Sequence, residues 1–136
     1  MTIDELKIGD SASVSKTVSE SDVYLFAGIT GDFNSAHVNE EAAKEGVFHR
    51  RVAHGMLTAS FFSTVLGTKL PGPGSIYLGQ EVRFVKPVYL GDTITASVTV
   101  SEINPEKRIV KLDTVCKNQE DVVVVEGRAI VRPPKK

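Results

Sequence analysis

A strict alternation of apolar and polar side chains in residues 93–103 is the feature that most limits how this chain can fold. In the run TITASVTVSEI, every second position is apolar, at Ile94, Ala96, Val98 and Val100, and threonine or serine stands between them. Successive side chains of a β-strand point to opposite faces, so this run predicts a strand with one buried and one solvated face. The segment therefore belongs to a sheet that covers a core on one side.

Four further segments favour strands of the same sheet. The run RIVKLDTVC places Val110, Leu112 and Cys116 on one side, and INPEK between the two runs is a plausible hairpin turn. Strands are also expected in SASVSKTV, in VVVVEGRAIVRP and in SIYLGQEVRFVKPVYLGD, where the strand stops at Pro87. We expect about five strands, mostly antiparallel.

The amino-terminal half of the chain favours helices. In VSESDVYLFAGITG, Ser19 is a candidate N-cap with Asp22 three residues on, and Val18 and Val23 are spaced for a hydrophobic staple. A second short helix is expected in NEEAAKEG. A third starts near Gly55, and its apolar side chains lie around most of its circumference, which is typical of a buried helix.

These elements predict one α+β domain over residues 1–136, with a curved antiparallel sheet of about five strands around a long central helix. Because an open sheet leaves unpaired edges, pairing two sheets edge to edge in a dimer would remove one of them.

Composition excludes several classes of partner. The net charge of −1, with 24% charged residues, gives no basis for binding nucleic acid or an anionic membrane. The longest uncharged run near the middle, GMLTASFFSTVLGT, is too short to span a bilayer, and the amino terminus shows no signal-peptide pattern. Cys116 is the only cysteine, in agreement with a reducing compartment. We expect a soluble, cytoplasmic protein.

The stretch ITGDFNSAH interrupts a good helix with turn-forming residues where it places Asp32 and His37. In a continuous helix, these two side chains would point about 140° apart and could not share a substrate. An interrupted helix can bring them together. The alternative is that Asp32 and Asn34 only bond nearby backbone amides and that His37 is a structural residue.

A second candidate site lies in VAHGMLTASFFS. Gly55 stands at the expected start of the buried helix, where its amide has no intrahelical partner and could stabilise a carbonyl oxygen that gains negative charge. Alternatively, Gly55 only permits a tight turn, His54 is a cap or surface residue, and Ser63 bonds the preceding helical turn. The spacing of the histidines and Asp32 matches no metal-site pattern, so we expect no metal.

With these pieces in place, the chain resembles the R-specific enoyl-CoA hydratases of the MaoC-like group. The resemblance is carried by GDFNSAHVNEEAA, VAHGMLTASFFSTVLG and GSIYLGQEVRFVKPVYLGDTITASVTV, in this order, and it covers nearly the whole chain. It implies the hot-dog fold, homodimers with continuous sheets, and reversible hydration of trans-2-enoyl-CoA to (3R)-3-hydroxyacyl-CoA without a cofactor.

The resemblance also assigns residues. Asp32 and His37 fall on the catalytic pair, Gly55 falls on the amide that binds the thioester carbonyl, and Asn34 and Ser63 fall on supporting positions. For the acyl pocket, the candidates on the apolar helix are Phe61, Phe62 and Leu66.

Two positions depart from the family pattern. Ser35 and Arg51 stand where the family usually has proline, which concerns loop rigidity more than chemistry.

Three readings besides the hydratase stay open. They are an acyl-carrier-protein dehydratase running the reverse reaction, a hot-dog thioesterase, and a silent acyl-thioester binding subunit, although retention of both Asp32 and His37 argues against the last. Polymer precursor supply and fatty-acid metabolism fit the activity equally well.

Overall fold

A five-stranded antiparallel sheet is the main framework of the fold. The structure is a computed structural model and describes residues 1–135. The strands are β1 (Ser11–Thr17), β2 (Ile76–Phe84), β3 (Thr93–Asn104), β4 (Ile109–Lys117) and β5 (Val123–Arg132). They lie in the order β1-β3-β4-β5-β2, and each neighbouring pair is antiparallel.

The alternation in the third strand sets which face of the sheet is buried. In β3, Ile94, Ala96, Val98 and Val100 are at most 1% exposed, whereas the residues between them are partly exposed. In β4, the predicted inward residues, Cys116 among them, are fully buried. The predicted alternation is confirmed, and the hairpin turn lies between β3 and β4 as expected.

The strand β2 ends earlier than the sequence indicates. It stops at Phe84 rather than at Pro87, because the amides of Val85 and Lys86 both donate to the carbonyl of Val124. Two residues on one strand that share a single partner bend the chain out of the ladder, as a β-bulge does.

The first helix has the predicted start. The helices are α1 (Glu20–Thr30), α2 (Ser35–Val38), α3 (Glu40–Lys44), α4 (Gly55–Ala59) and α5 (Phe61–Thr68). Ser19 caps α1, and the Ser19 and Asp22 side chains each accept a bond from the other's backbone amide. Val18 and Val23 on either side of this box are fully buried, which fixes the angle at which the chain enters the helix.

The long central helix is divided into two pieces. Ser60 separates α4 from α5 because its hydroxyl donates to the carbonyl of Leu57, although its backbone angles stay near the helical region. Competition of this kind from a serine side chain commonly disturbs a helix. The helix is also not buried all round, since Met56 is 58% exposed.

The inner face of the sheet packs on α5 and forms the core. Phe62, Val65 and Leu66 are nearly inaccessible and belong to one cluster with the inward residues of β3, β4 and β5. Burying side chains of this size stabilises a fold by about 1.5–3 kcal/mol each. The α+β architecture is the one expected from the sequence patterns, and it agrees with the hot-dog fold that the resemblance implies. Within the described residues, no helix is long and apolar enough to cross a bilayer.

Candidate active site

The turn that follows α1 brings Asp32 and His37 together. Gly31 ends the helix in the left-handed conformation, with φ 81°, which glycine adopts at no steric cost. The Asp32 carboxylate then accepts the Asn34 amide at 3.1 Å, and the Asn34 side chain accepts the Ala36 amide at 2.9 Å as the N-cap of α2. Two successive side-chain turns therefore redirect the chain within four residues. One carboxylate oxygen of Asp32, one ring nitrogen of His37 and one ring nitrogen of His54 lie within 4.8 Å of one another.

The hydrogen bond from the His37 ring fixes its tautomer. Nδ1 of His37 lies 2.6 Å from the carbonyl oxygen of Val52. A carbonyl oxygen only accepts, so Nδ1 carries the proton and Nε2 of the neutral ring keeps a free lone pair. The same two segments are tied a second time, because the Val52 amide donates to the carbonyl of Ala36 at 3.0 Å.

His54 is buried beside this pair rather than capping a helix or lying at the surface. It is 3% exposed and makes no side-chain cap bond to α4. Its Nε2 lies 2.9 Å from the backbone carbonyl oxygen of Asp32, and its ring stacks on His37 with centroids 3.8 Å apart and planes 26° apart. Phe26 also contacts the ring, at 4.9 Å between centroids. Sequence reasoning missed this position because the contact joins residues 22 apart in the chain.

Gly55 begins α4 next to an aromatic side chain. As the first helical residue, it has an amide without an intrahelical partner. A Cβ atom at this position would lie 2.7 Å from Cε1 of Phe84, closer than real Cβ contacts allow. Only glycine fits while the Phe84 ring stays in place.

All these groups line one cavity of about 570 Å³. Asp32, His37, His54 and Gly55 contribute polar groups to its wall. Most of the remaining wall is apolar and comes from distant parts of the chain, including Phe26, Phe48, Met56, Phe84, Val88 and Val125. Such a cavity suits an apolar chain that ends in a polar reacting group.

The structure distributes the other sequence-predicted residues differently. Asn34 supports the turn that holds Asp32, whereas Ser63 is exposed on α5 and does not line the cavity. The acyl-pocket candidates Phe61, Phe62 and Leu66 do not line it either. Phe62 and Leu66 are core residues, 0% and 2% exposed, because α5 packs on the sheet while the cavity opens beside α4.

The stacked histidines are unsuited to hold a metal ion together with Asp32. Each ring has one nitrogen bonded to a backbone carbonyl, so one nitrogen per ring is left for a ligand role. Lone pairs of imidazole lie in the ring plane, and these two planes are nearly parallel at 3.8 Å. They do not converge on a point about 2.0–2.1 Å from both rings, as zinc requires.

Arg51 fixes the segment that carries Val52. Its guanidinium pairs with Glu20 and with Glu40 at 2.9 Å each and donates to the Tyr24 hydroxyl at 3.1 Å. The bond to Arg51 holds the pKa of the Glu20 carboxyl below its ordinary value. The side chain is only 13% exposed, so these contacts stiffen a position where the resemblance leads one to expect proline.

A hot-dog domain with an aspartate, a histidine and a helix-start glycine around one apolar cavity has the features of MaoC-like dehydratases. The chain belongs to this family, since the family model described as a MaoC like domain matches residues 7–124.

Named relatives cover almost the whole chain. The chain is 54% identical to an (R)-specific enoyl-CoA hydratase of Rhodospirillum rubrum over 96% of this chain and 90% of that protein. The structure of an (R)-hydratase from Aeromonas caviae involved in PHA biosynthesis superimposes with a TM-score of 0.93 at 42% identity, covering 96% of this chain and 98% of that one. An unliganded R-hydratase from Pseudomonas aeruginosa gives 0.94 at 39% identity, covering 99% of this chain and 86% of that one.

Proposed function

We propose that the protein is an (R)-specific enoyl-CoA hydratase, a hydro-lyase that adds water reversibly to trans-2-enoyl-CoA and yields (3R)-3-hydroxyacyl-CoA. One observation carries the proposal: the Asp32 carboxylate and the His37 imidazole lie side by side on an apolar cavity that also contains Gly55. The relatives named for this reaction match the chain over nearly its full length.

The two side chains suit a single attacking water. The Asp32 carboxylate and Nε2 of His37 are both hydrogen-bond acceptors, so a water that donates one hydrogen to each turns an oxygen lone pair away from them. Asp32 takes one of these protons as the oxygen bonds to C3 of the substrate, and His37 orients the water. The same pair then returns the proton to C2, which completes the addition of water.

Polarisation of the thioester is the second requirement. Water is a poor nucleophile, and C3 becomes electrophilic only when the thioester carbonyl draws electrons from the double bond. In this proposal, the Gly55 amide, which has no intrahelical partner, donates to that carbonyl as it gains negative charge. The reaction needs no cofactor, because it moves a proton and a hydroxide without a change in oxidation.

The decisive experiment follows the ultraviolet absorbance of crotonyl-CoA with the wild type and with Asp32→Asn. We expect rapid loss of absorbance without thiol release and a rate about a hundred-fold to ten-thousand-fold lower for the variant. A coupled dehydrogenase of known stereospecificity should report an (R) product. Asp113→Asn is the matched control, because Asp113 lies exposed on β4 and outside the cavity, and it should keep the wild-type rate.

The other outcomes lead to the remaining readings. Release of free thiol would indicate a thioesterase, and turnover restricted to substrates on acyl carrier protein would indicate the carrier-protein dehydratase. An unaffected Asp32→Asn variant would contradict the assignment of the base.

The same proposal includes a homodimer in which two β2 strands pair. β2 is one of the two edge strands, and its Ile76, Leu78 and Phe84 side chains are 54%, 44% and 53% exposed. The other edge, β1, carries mainly serine and threonine and is a poorer surface for association. Leu78→Lys should dissociate the dimer in light scattering, whereas Ser13→Lys on β1 should leave it intact.

For cellular context, we propose the cytoplasm, in keeping with the single buried and unpaired Cys116. The product suits supply of polymer precursors or fatty-acid metabolism.

A further inference from the structure

We infer that His54 is a positioning residue that holds Asp32 and His37 in register through a hydrogen bond to one and a stacked ring on the other. The inference rests on the proposed function and extends it to a residue that need not touch the substrate.

Two contacts link His54 to the two catalytic candidates by different means. Its Nε2 bonds the backbone oxygen of Asp32 at 2.9 Å, and its ring lies against His37 at 3.8 Å between centroids. Asp32 stands in an exposed turn, so this bond ties the turn to His54, the buried residue that precedes α4. A shift of about 1 Å in a reacting group can reduce a rate about a hundred-fold.

The bonding of His54 also fixes its tautomer. Nε2 faces a carbonyl oxygen and must carry the ring hydrogen, while Nδ1 is buried with no hydrogen-bond partner among residues 1–135. With the hydrogen on Nδ1 instead, that hydrogen would have no acceptor, and Nε2 would face the Asp32 carbonyl without a hydrogen to donate. The Nε2 tautomer is therefore the one that keeps the bond to Asp32.

Stability alone does not explain a histidine here. A buried polar nitrogen without a partner costs roughly 1–3 kcal/mol. A phenylalanine would keep the stacking on His37 and Phe26 without that cost. The polar ring is thus best explained by the bond that it makes to Asp32.

Two variants separate the two contacts. His54→Phe keeps an aromatic ring and loses the bond to Asp32, whereas His54→Gln keeps an N–H donor at the Nε2 position and loses the stacked ring. For each, we expect kcat for crotonyl-CoA to fall by about tenfold to a hundred-fold while KM changes by less than about threefold. His54→Phe should unfold at a temperature no lower than wild type, which a purely structural role would not allow.

The chain provides a histidine control and a direct spectroscopic readout. It contains three histidines, and His49 is exposed and outside the cavity, with a φ of 61° that asparagine tolerates. His49→Asn should keep the wild-type kcat and assign the third imidazole signal in nitrogen NMR. In the wild type, we expect the ring hydrogen of His54 on Nε2.

The outcomes separate failure of this inference from failure of the proposed function. Either His54 variant retaining kcat within about twofold of wild type would overturn the inference, as would a His54 that carries its ring hydrogen on Nδ1. A wild-type protein that does not hydrate crotonyl-CoA would instead overturn the proposed function, and the NMR measurement would still test the tautomer.

Discussion

Nδ1 of His37 lies 2.6 Å from the carbonyl oxygen of Val52, and this one bond decides which ring nitrogen can meet a substrate water. The bond crosses from α2 to the segment before α4. Since Nδ1 must donate, the chemistry assigned to His37 belongs to Nε2.

Replacing His37 by asparagine should separate anchoring from chemistry. The asparagine amide can occupy the position of Nδ1 and donate to Val52, but it has no group at the position of Nε2. We expect kcat to fall about a hundred-fold to ten-thousand-fold while the unfolding temperature changes little. Steady-state kinetics and thermal unfolding test this, and a variant with more than half of the wild-type kcat would remove His37 from the mechanism.

Gly55→Ala should act through Phe84. The added methyl group would overlap the Phe84 ring, which is half exposed and can swing away, so the loss of stability should be small. The displaced ring should disturb the cavity beside the Gly55 amide, which is proposed to bind the thioester carbonyl, and should lower kcat/KM. Because both changes act on one contact, the effects of Gly55→Ala and Phe84→Ala on kcat/KM should be non-additive. Expressed as free energies in a double-mutant cycle, they should differ from additivity by about 0.5–3 kcal/mol. Additive effects would show that the ring and the glycine act independently.

Ser35→Pro should stabilise the protein. Ser35 is the first residue of α2, where the amide has no intrahelical partner, and the preceding Asn34 has φ −53° and ψ 134°, which a following proline permits. We expect a gain of about 0.4–1 kcal/mol in the free energy of unfolding, measured with urea. Ala36→Pro is the matched control and should destabilise, because the Ala36 amide donates to Asn34. Loss of stability in Ser35→Pro would show that the turn needs more freedom than its angles indicate.

Asp22→Asn should change how stability depends on pH. The Asp22 carboxylate accepts hydrogen bonds from Lys16 and from the Ser19 amide. These two bonds hold the pKa of Asp22 below its ordinary value of 3.8. The Asp22 carboxylate binds protons less readily in the folded state than in the unfolded state. Its contribution to the free energy of unfolding is therefore complete above the ordinary pKa and is lost as pH falls through the lowered pKa. The difference in unfolding free energy between wild type and variant should be constant from pH 7 to 5 and shrink below about pH 4. A difference that persists to about pH 2 would contradict the assignment.

Local patterns in the sequence predicted the parts of the fold that depend on near neighbours. The capping box at Ser19 and Asp22 and the alternation in β3 involve residues a few positions apart, so their periods and spacings carry the information. The division of the helix at Ser60 was not predicted, because a serine hydroxyl can bond to solvent or to the preceding turn and the sequence does not say which.

The candidate site was harder to predict because it depends on long-range packing. Apolar spacing on α5 identified Phe62 and Leu66 as inward-facing, but it could not distinguish the wall of a cavity from the core. Phe84 reaches Gly55 from a strand that begins after the helices end, and His54 reaches Asp32 across 22 residues. No local pattern reports either contact.

The cavity joins three stretches of chain, residues 31–38, 52–56 and 84–88. Three hydrogen bonds link the first stretch to the second, and the Ala53 amide links the second to the third through the carbonyl of Val88. A thioester bound among them would add a further link. At a hundred times its dissociation constant, such a ligand would add about 2.7 kcal/mol to stability. Amide hydrogen exchange should then slow in the exposed turn at 31–34 as well as in the core, so occupancy of the site could be measured with a non-reacting analogue.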